Sequence, residues 1–203
     1  MRIKTLLILV SVVFLASCAS MSKDECLAAN WEQIGLEDGS RGRVLELISQ
    51  HRKACAKAGV TPNLADYERG HERGLDRYCI YEKGLSLGRN GGNYGGTCRG
   101  KNENAFLDGY DFGRDQFKAL QRVRHLEKSV TEYELEIDYA QTHILELEDL
   151  IASDGTTGLE RREFLIEMRE LEASIPNIEF QFAQELKALK RAQDDYSALM
   201  AEE

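Results

Sequence analysis

The stretch ALQRVRHLEKSVTEYELEIDYAQTHILELEDLI, residues 119–151, decides the fold. Its apolar seam runs Ala119, Val123, Leu126, Val130, Tyr133, Ile137, Ala140, Ile144, Leu147, Ile151. The steps alternate between four and three without a break, which puts all of them on one side of a long coiled-coil helix. SDGTTG, residues 153–158, then breaks the helix, and Thr157 with Glu160 forms a capping box for another. A second seam follows at Phe164, Met168, Leu171, Ile175, Ile178, Phe182, Leu189, Ala192, Tyr196 and Leu199, with Glu185 as its charged member. Two helices joined by so short a loop pack antiparallel. Helices of about 35 to 45 residues, rising 1.5 Å each, make a hairpin roughly 50–65 Å long. Pro176 lies inside the second series and predicts a kink, because proline removes a backbone donor.

Upstream of 119 the pattern changes. Fifteen of the 17 glycines fall between residues 35 and 113. Many stand four apart behind an aromatic: Tyr67 before Gly70 and Gly74, Tyr81 before Gly84 and Gly88, Phe106 before Gly109 and Gly113. Trp31 precedes Gly35 and Gly39, offset by one. Glycine inside a helix is unfavourable by about 1 kcal/mol against alanine, so four copies call for a reason. Residues four apart share a helix face. A glycine stripe there lets a second backbone come close, which predicts a small head of tightly packed short helices.

Local signals divide the head. Ser22 and Glu25 form a capping box ahead of a segment read as helical from residue 26 to 34. Residues 44–58 are helical in pattern, with Gly59 as C′. Thr61 and Pro62 read as N-cap and N1 of the next helix. Residues 89–104, RNGGNYGGTCRGKNEN, read as loop.

Four cysteines lie in the head: Cys26, Cys55, Cys79 and Cys98. An even count in an exported chain reads as two disulfides, and four cysteines allow three pairings. Cys26–Cys55 and Cys79–Cys98 are favoured because each closes one local loop. The rival reading, a tetrathiolate metal site, lacks any C-x2-C pair. The second loop encloses YCIYEKGLSLGRNGGNYGGTC, residues 78–98. Its Tyr78, Tyr81, Arg89 and Tyr94 are the candidate ligand-binding residues.

Taken together, the ordered features Trp31, Gly35, Asp38-Gly39, Tyr67, Gly70, Gly74-Leu75, Tyr78-Cys79, Gly84, Gly88-Arg89, Tyr94, Gly96, Cys98, Phe106, Gly109-Tyr110 and Gly113-Arg114 resemble a Gram-negative lipoprotein family, domain of unknown function 2799. The likeness covers about residues 26–120. Ile80-Tyr81 stands where the family pattern has Thr-Pro, and Arg99 where a proline is common. The resemblance implies an envelope lipoprotein and carries no catalytic residue with it.

The first residues, MRIKTLLILVSVVFLASCAS, read as a secretory signal: a basic start at Arg2 and Lys4, an apolar run over 6–15, then small residues. The run is shorter than the roughly 20 residues a spanning helix needs. Leu15-Ala16-Ser17-Cys18 looks like a bacterial lipobox, with Cys18 lipidated as the mature N-terminus. Ala19 and Ser20 in place of aspartate favour the outer membrane by resemblance to Gram-negative lipoproteins. Three units are therefore expected: a signal peptide over 1–17, a head over 18–118 and a hairpin over 119–203.

Removing residues 1–17 takes the formal charge from −9 to −11. Residues 18–104 are nearly neutral at +1, and residues 105–203 carry −12. That acidic half repels phosphate backbones, which argues against nucleic-acid binding and against lying on an anionic bilayer surface. His51, His71, His125 and His143 fit no metal-binding spacing. His125 and His143 read as solvated on the hairpin, and His71 as a capping or packing residue. Arg43, Arg89 and Arg114 each follow a glycine, and Asp38 or Asp108 could pair with them. No G-x-S-x-G or other nucleophile context is present.

The expected protein is all-α: a small disulfide-stapled, glycine-rich helical head followed by a long antiparallel two-helix coiled-coil hairpin. The expected role is non-enzymatic and without cofactor or metal. The bilayer would be contacted through acylated Cys18, and an envelope protein through the hairpin, on the periplasmic side of the outer membrane. The alternative is a ligand-binding head for a cell-wall fragment or small molecule.

Overall fold

The computed structural model describes residues 21–202, all of it helix, turn or loop among the described residues. The helices are α1 Lys23–Leu27, α2 Trp31–Ser40, α3 Ile48–Cys55, α4 Leu64–Tyr78, α5 Tyr81–Arg89, α6 Glu103–Ala152 and α7 Gly158–Ala201. The expected Cys18 lipidation and the signal peptide lie outside the described residues.

Two compact units form. The first holds the described residues up to Gly84 together with Tyr94–Gly109, and the second holds Leu85–Asn93 and Tyr110–Glu203. Residue 118, where the glycine spacing gives way to heptads, lies inside the unbroken helix α6. Fifty residues make α6 longer than the heptads alone require, because it starts in the glycine-rich segment.

In the first unit, α2 and α4 pack along their glycines. A Cβ on Gly35 would collide with the Tyr67 carbonyl, and one on Gly39 with the His71 carbonyl. Cβ atoms on Gly70 and Gly74 would collide in turn with the Glu32 and Leu36 carbonyls. The contacts advance in the same direction along both helices, so the pair is parallel. The stripe works as expected: missing side chains let one backbone rest on the other. The second unit repeats the device, with Gly88 against the Tyr110 carbonyl of α6 and Gly113 against the Leu85 carbonyl of α5.

Both disulfides take the local pairing. Cys26–Cys55 closes a separation of 29 residues and Cys79–Cys98 one of 19. All four cysteines are buried. Cys26, Trp31, Ile48, Cys55 and Tyr67 form the core beneath α2 and α4. Lys101 is tied to Glu72 at 3.0 Å and Asp76 at 2.9 Å, which holds the loop before α6 onto α4.

Two boundaries depart from expectation. The segment 26–34 is not one helix: α1 ends at Leu27, and Asn30 caps a new helix by accepting from the Gln33 amide at 3.1 Å. Nor do Thr61 and Pro62 start α4. Asn63 is the N-cap, accepting from the Asp66 amide at 3.2 Å, and Leu64 is the first helical residue. In both places an Asn side chain reaches an orphan amide of the first turn, and that satisfies the helix end.

In the second unit α6 and α7 form the hairpin. Every seam residue on both helices is buried or half-buried, and nearly every other position is exposed. Val123, Leu126 and Val130 pack with Leu189 and Ala192. Thr157 caps α7 with the expected capping box. Arg161 donates to the Ser153 and Thr156 carbonyls, closing the open end of α6. Pro176 lies within α7, and the helix continues through it.

Candidate functional site

The first unit buries a polar cluster where charged groups are costly. Asp38 leaves α2 facing inward on the side of Trp31 and Gly35, because 31, 35 and 38 share one helix face. His51 leaves α3 beside Ile48 and Cys55 for the same reason. Asp38 Oδ2 accepts two hydrogen bonds, from His51 Nε2 at 2.8 Å and from the Tyr67 hydroxyl at 2.9 Å. Asp38 and His51 are each 6 % exposed and Tyr67 is fully buried. Burial, then the hydrogen bond and charge of Asp38, push the Tyr67 phenol far above its ordinary range, so it stays a donor.

Aromatic contacts pack the cluster. The Tyr67 ring lies 5.9 Å from His71, stacked, and 5.9 Å from His51, edge-on. Trp31 lies 6.4 Å from His51. His71 donates through Nε2 to the Arg43 carbonyl at 2.7 Å. His71 is thus the packing residue expected. The side chain of Asp38 meets His51 and Tyr67, not Arg43, whose link to Asp38 is its own amide to the Asp38 carbonyl at 3.0 Å.

His51 turns Nε2 to Asp38 and Nδ1 away from it, so in a neutral ring that donates to Asp38 the lone pair sits on Nδ1. That Nδ1 is buried without a partner, as is the Ser40 hydroxyl. Next to the cluster opens a cleft of about 480 Å³, lined by Met21, Glu25, Gln33, Glu37 and Arg41, with Asp38 and His51 in its wall. Its volume suits a small ligand. An Asp-oriented imidazole can accept a proton or a ligand's donor. Among the described residues, no three His, Cys, Asp or Glu side chains are grouped to hold a metal.

The four candidate ligand residues fall in both units: Tyr78, Tyr81 and Tyr94 in the first, Arg89 in the second. Tyr78 and Tyr94 converge on Phe106, at ring distances of 5.4 and 4.9 Å. The Tyr94 hydroxyl donates to Glu103 at 2.8 Å and accepts from the Cys98 amide at 3.0 Å. Burial first, then Glu103, raises the Tyr94 phenol. These bonds fix the clasped loop, and Tyr81 is exposed in the first turn of α5. Arg89 belongs to the second unit, where Nε donates to Gln116 at 2.8 Å. Gln116, buried, donates onward to the Leu199 carbonyl at 3.4 Å.

Sequence reasoning offered Asp38 only as an arginine partner and passed over His51, although the spacing of Ile48, His51 and Cys55 along one helix face is a signal that could have marked His51 as buried. Their pairing was not legible, because it joins separate helices.

On the hairpin, His143 is half-buried rather than solvated. Nε2 meets Glu167 of α7 at 3.0 Å and Nδ1 meets Glu146 at 3.2 Å. Glu167, then Glu146, raise the His143 imidazole above its ordinary value. His125 is exposed as expected. Among the described residues, no helix is long and apolar enough to cross a membrane.

Residues 30–115 match the model of a family described as "Protein of unknown function (DUF2799)". No curated protein and no solved structure matches the chain.

Proposed function

For a chain whose residues 30–115 match the model of a family of proteins of unknown function, DUF2799, we propose a non-enzymatic interaction role in the cell envelope. In this reading Cys18 is acylated and anchors the protein to the outer membrane, facing the periplasm, and the hairpin engages an envelope protein. One observation carries it: the hairpin seals its own seam yet leaves large apolar side chains on its outside. Leu135 and Tyr139 on α6, and Leu159, Ile166 and Phe180 on α7, are all at least half exposed. A helix meant only as a spacer gains nothing from them, whereas apolar side chains on a polar ground mark contact surfaces. The two buried disulfides support an oxidising compartment.

The test is photo-crosslinking in intact envelopes, with the full chain carrying a crosslinkable residue at 139, 166 or 180. A discrete adduct at these sites is expected. If none forms while the chain is anchored and folded, the interaction role is wrong. Anchoring is tested separately: Cys18→Ser should release the chain from the membrane fraction.

The cleft beside Asp38 and His51 supports a second reading, a head that binds a cell-wall fragment or small molecule. Thermal shift of the oxidised protein with muropeptides addresses it. A shift that Arg41→Ala and Glu37→Ala abolish would support ligand binding, and no shift with any fragment would count against it.

A further inference from the structure

Asp38 puts both of its hydrogen bonds on one oxygen. His51 Nε2 and the Tyr67 hydroxyl meet Oδ2 at 2.8 and 2.9 Å. Among the described residues nothing bonds to Oδ1, and Oδ1 is not one of the fully buried atoms, which are Ser40 Oγ and His51 Nδ1. It therefore still meets solvent. The Asp38 side chain is 9 % exposed and stands in the wall of the cleft of about 480 Å³. A carboxylate so buried has lost most of its hydration, and an oxygen with unused lone pairs is expensive to leave there.

The protein does not cancel the Asp38 charge. His51 Nδ1 has no acceptor, so a second ring hydrogen would be stranded in the core, and the neutral ring is the one that fits. Tyr67 stays a neutral phenol. Arg43 is exposed, and it is the weakest of the four influences on the Tyr67 phenol. Among the residues lining the cleft, the carboxylates are Glu25, Glu37 and Asp38, and the one fixed cation is Arg41. Arg41 pairs with Glu37 at 3.9 Å, and Glu25 is held by the Ser22 amide at 2.7 Å. Asp38 is the carboxylate left over. Glu37 and Asp38 also stand in the last turn of α2, the negative end of its dipole.

We propose that the cleft binds the primary ammonium of a small ligand, with Asp38 Oδ1 as its acceptor. The N–H donates to Oδ1, while His51 and Tyr67 hold the carboxylate from the other oxygen. Met21, Ala29 and Ile34 line the same cleft and offer the ligand's body an apolar wall. An anionic group would meet three carboxylates there and is disfavoured. In an envelope the ammonium has two sources, the diamino acid of a muropeptide and the ethanolamine head group of a phospholipid.

The proposal rests on reading the head as a ligand-binding unit, and its test separates the two claims. The full chain in detergent is titrated calorimetrically with a muropeptide carrying a free side-chain amine and with the same muropeptide N-acetylated. Acetylation should weaken binding about tenfold or more, as expected when a charge-assisted hydrogen bond is lost. Glycerophosphoethanolamine and glycerophosphocholine form the second pair, since the quaternary head group has no N–H to donate. Binding of the ethanolamine compound alone would assign the site to lipid head groups. Asp38→Asn keeps an oxygen for His51 and Tyr67 and removes the charge. It should bind the free and acetylated muropeptides equally, with circular dichroism confirming the fold, and the ligand pairs on the native chain decide the matter if it does not fold. Muropeptide binding that ignores acetylation overturns the ammonium site and leaves the ligand-binding head standing. Native-strength discrimination in a folded Asp38→Asn also overturns it. No binding of any of the four probes overturns both.

Discussion

At the scale of single residues, the glycines divide by what surrounds them. Gly70 abuts the Glu32 carbonyl and the Leu36 amide nitrogen, so any Cβ there must push α2 and α4 apart. Gly70→Ala should destabilise the head by about 3 kcal/mol, the upper end for overpacking a rigid contact, read as a lower urea midpoint. Gly158 opens α7 with nothing within reach of a Cβ. Gly158→Ala should stabilise by about 0.5 kcal/mol through the unfolded chain. Similar shifts from the two substitutions would contradict the backbone contact. Asp38 is the other residue on which much depends. Asp38→Ala strands the His51 N–H and the Tyr67 hydroxyl in the core, each a buried donor without an acceptor. A loss of about 3 kcal/mol is expected, with thermal unfolding as the readout. A change below about 1 kcal/mol would mean that water replaces the carboxylate, the compensation ordered water can provide.

At the scale of elements, the clasped loop and the hairpin use different fastenings. Cys79–Cys98 closes residues that hold Gly91 and Gly96 at positive φ, a backbone that is entropically expensive to order. Replacing both cysteines by serine should lower stability by about 3 kcal/mol on the chain-entropy account, measured as the shift in thermal midpoint under non-reducing conditions. The hairpin depends on its seam, and His143 adds a half-buried clasp between α6 and α7 through Glu167. A raised imidazole pKa means that protonation favours the folded form. The clasp therefore contributes fully below the unfolded histidine value, near 6.5, and is lost as pH rises through the higher folded value. Hairpin stability should fall as pH rises above about 6.5 in the native chain. His143→Gln should flatten that slope, with the stability–pH profile by circular dichroism as the check. The same slope in the variant would assign the effect to the other carboxylates.

At the scale of the whole molecule, two units carry different kinds of surface. The first buries its polar chemistry and opens a cleft beside it. The second keeps an apolar seam inside and large apolar residues outside. On the proposed readings, interaction by the hairpin and recognition by the head draw on different units, and substitutions on one should leave the other's readout unchanged. Ile166→Ser with Phe180→Ser should abolish crosslinking while leaving stability within about 1 kcal/mol of the native chain, as expected for exposed positions. A large drop in stability would instead make these side chains part of the fold.

The sequence by itself determined the helical class, both seams, the turn at 153–157, its capping box and the local disulfide pairing. Each of these is written in spacing along the chain, where periods of 3.5 residues and nearby cysteines read directly as geometry. It also marked the glycine stripes as packing sites, because glycine at four-residue intervals has few other uses in a helix. Tertiary structure decided which stripe meets which, so that Gly35 and Gly39 face Gly70 and Gly74. It decided that Asp38 joins His51 and Tyr67 instead of an arginine, and that Tyr94 braces its own loop. It decided as well that Asn30 and Asn63 begin their helices. These choices join residues distant in sequence or balance competing caps, and they depend on which donors remain unsatisfied once the helices have packed.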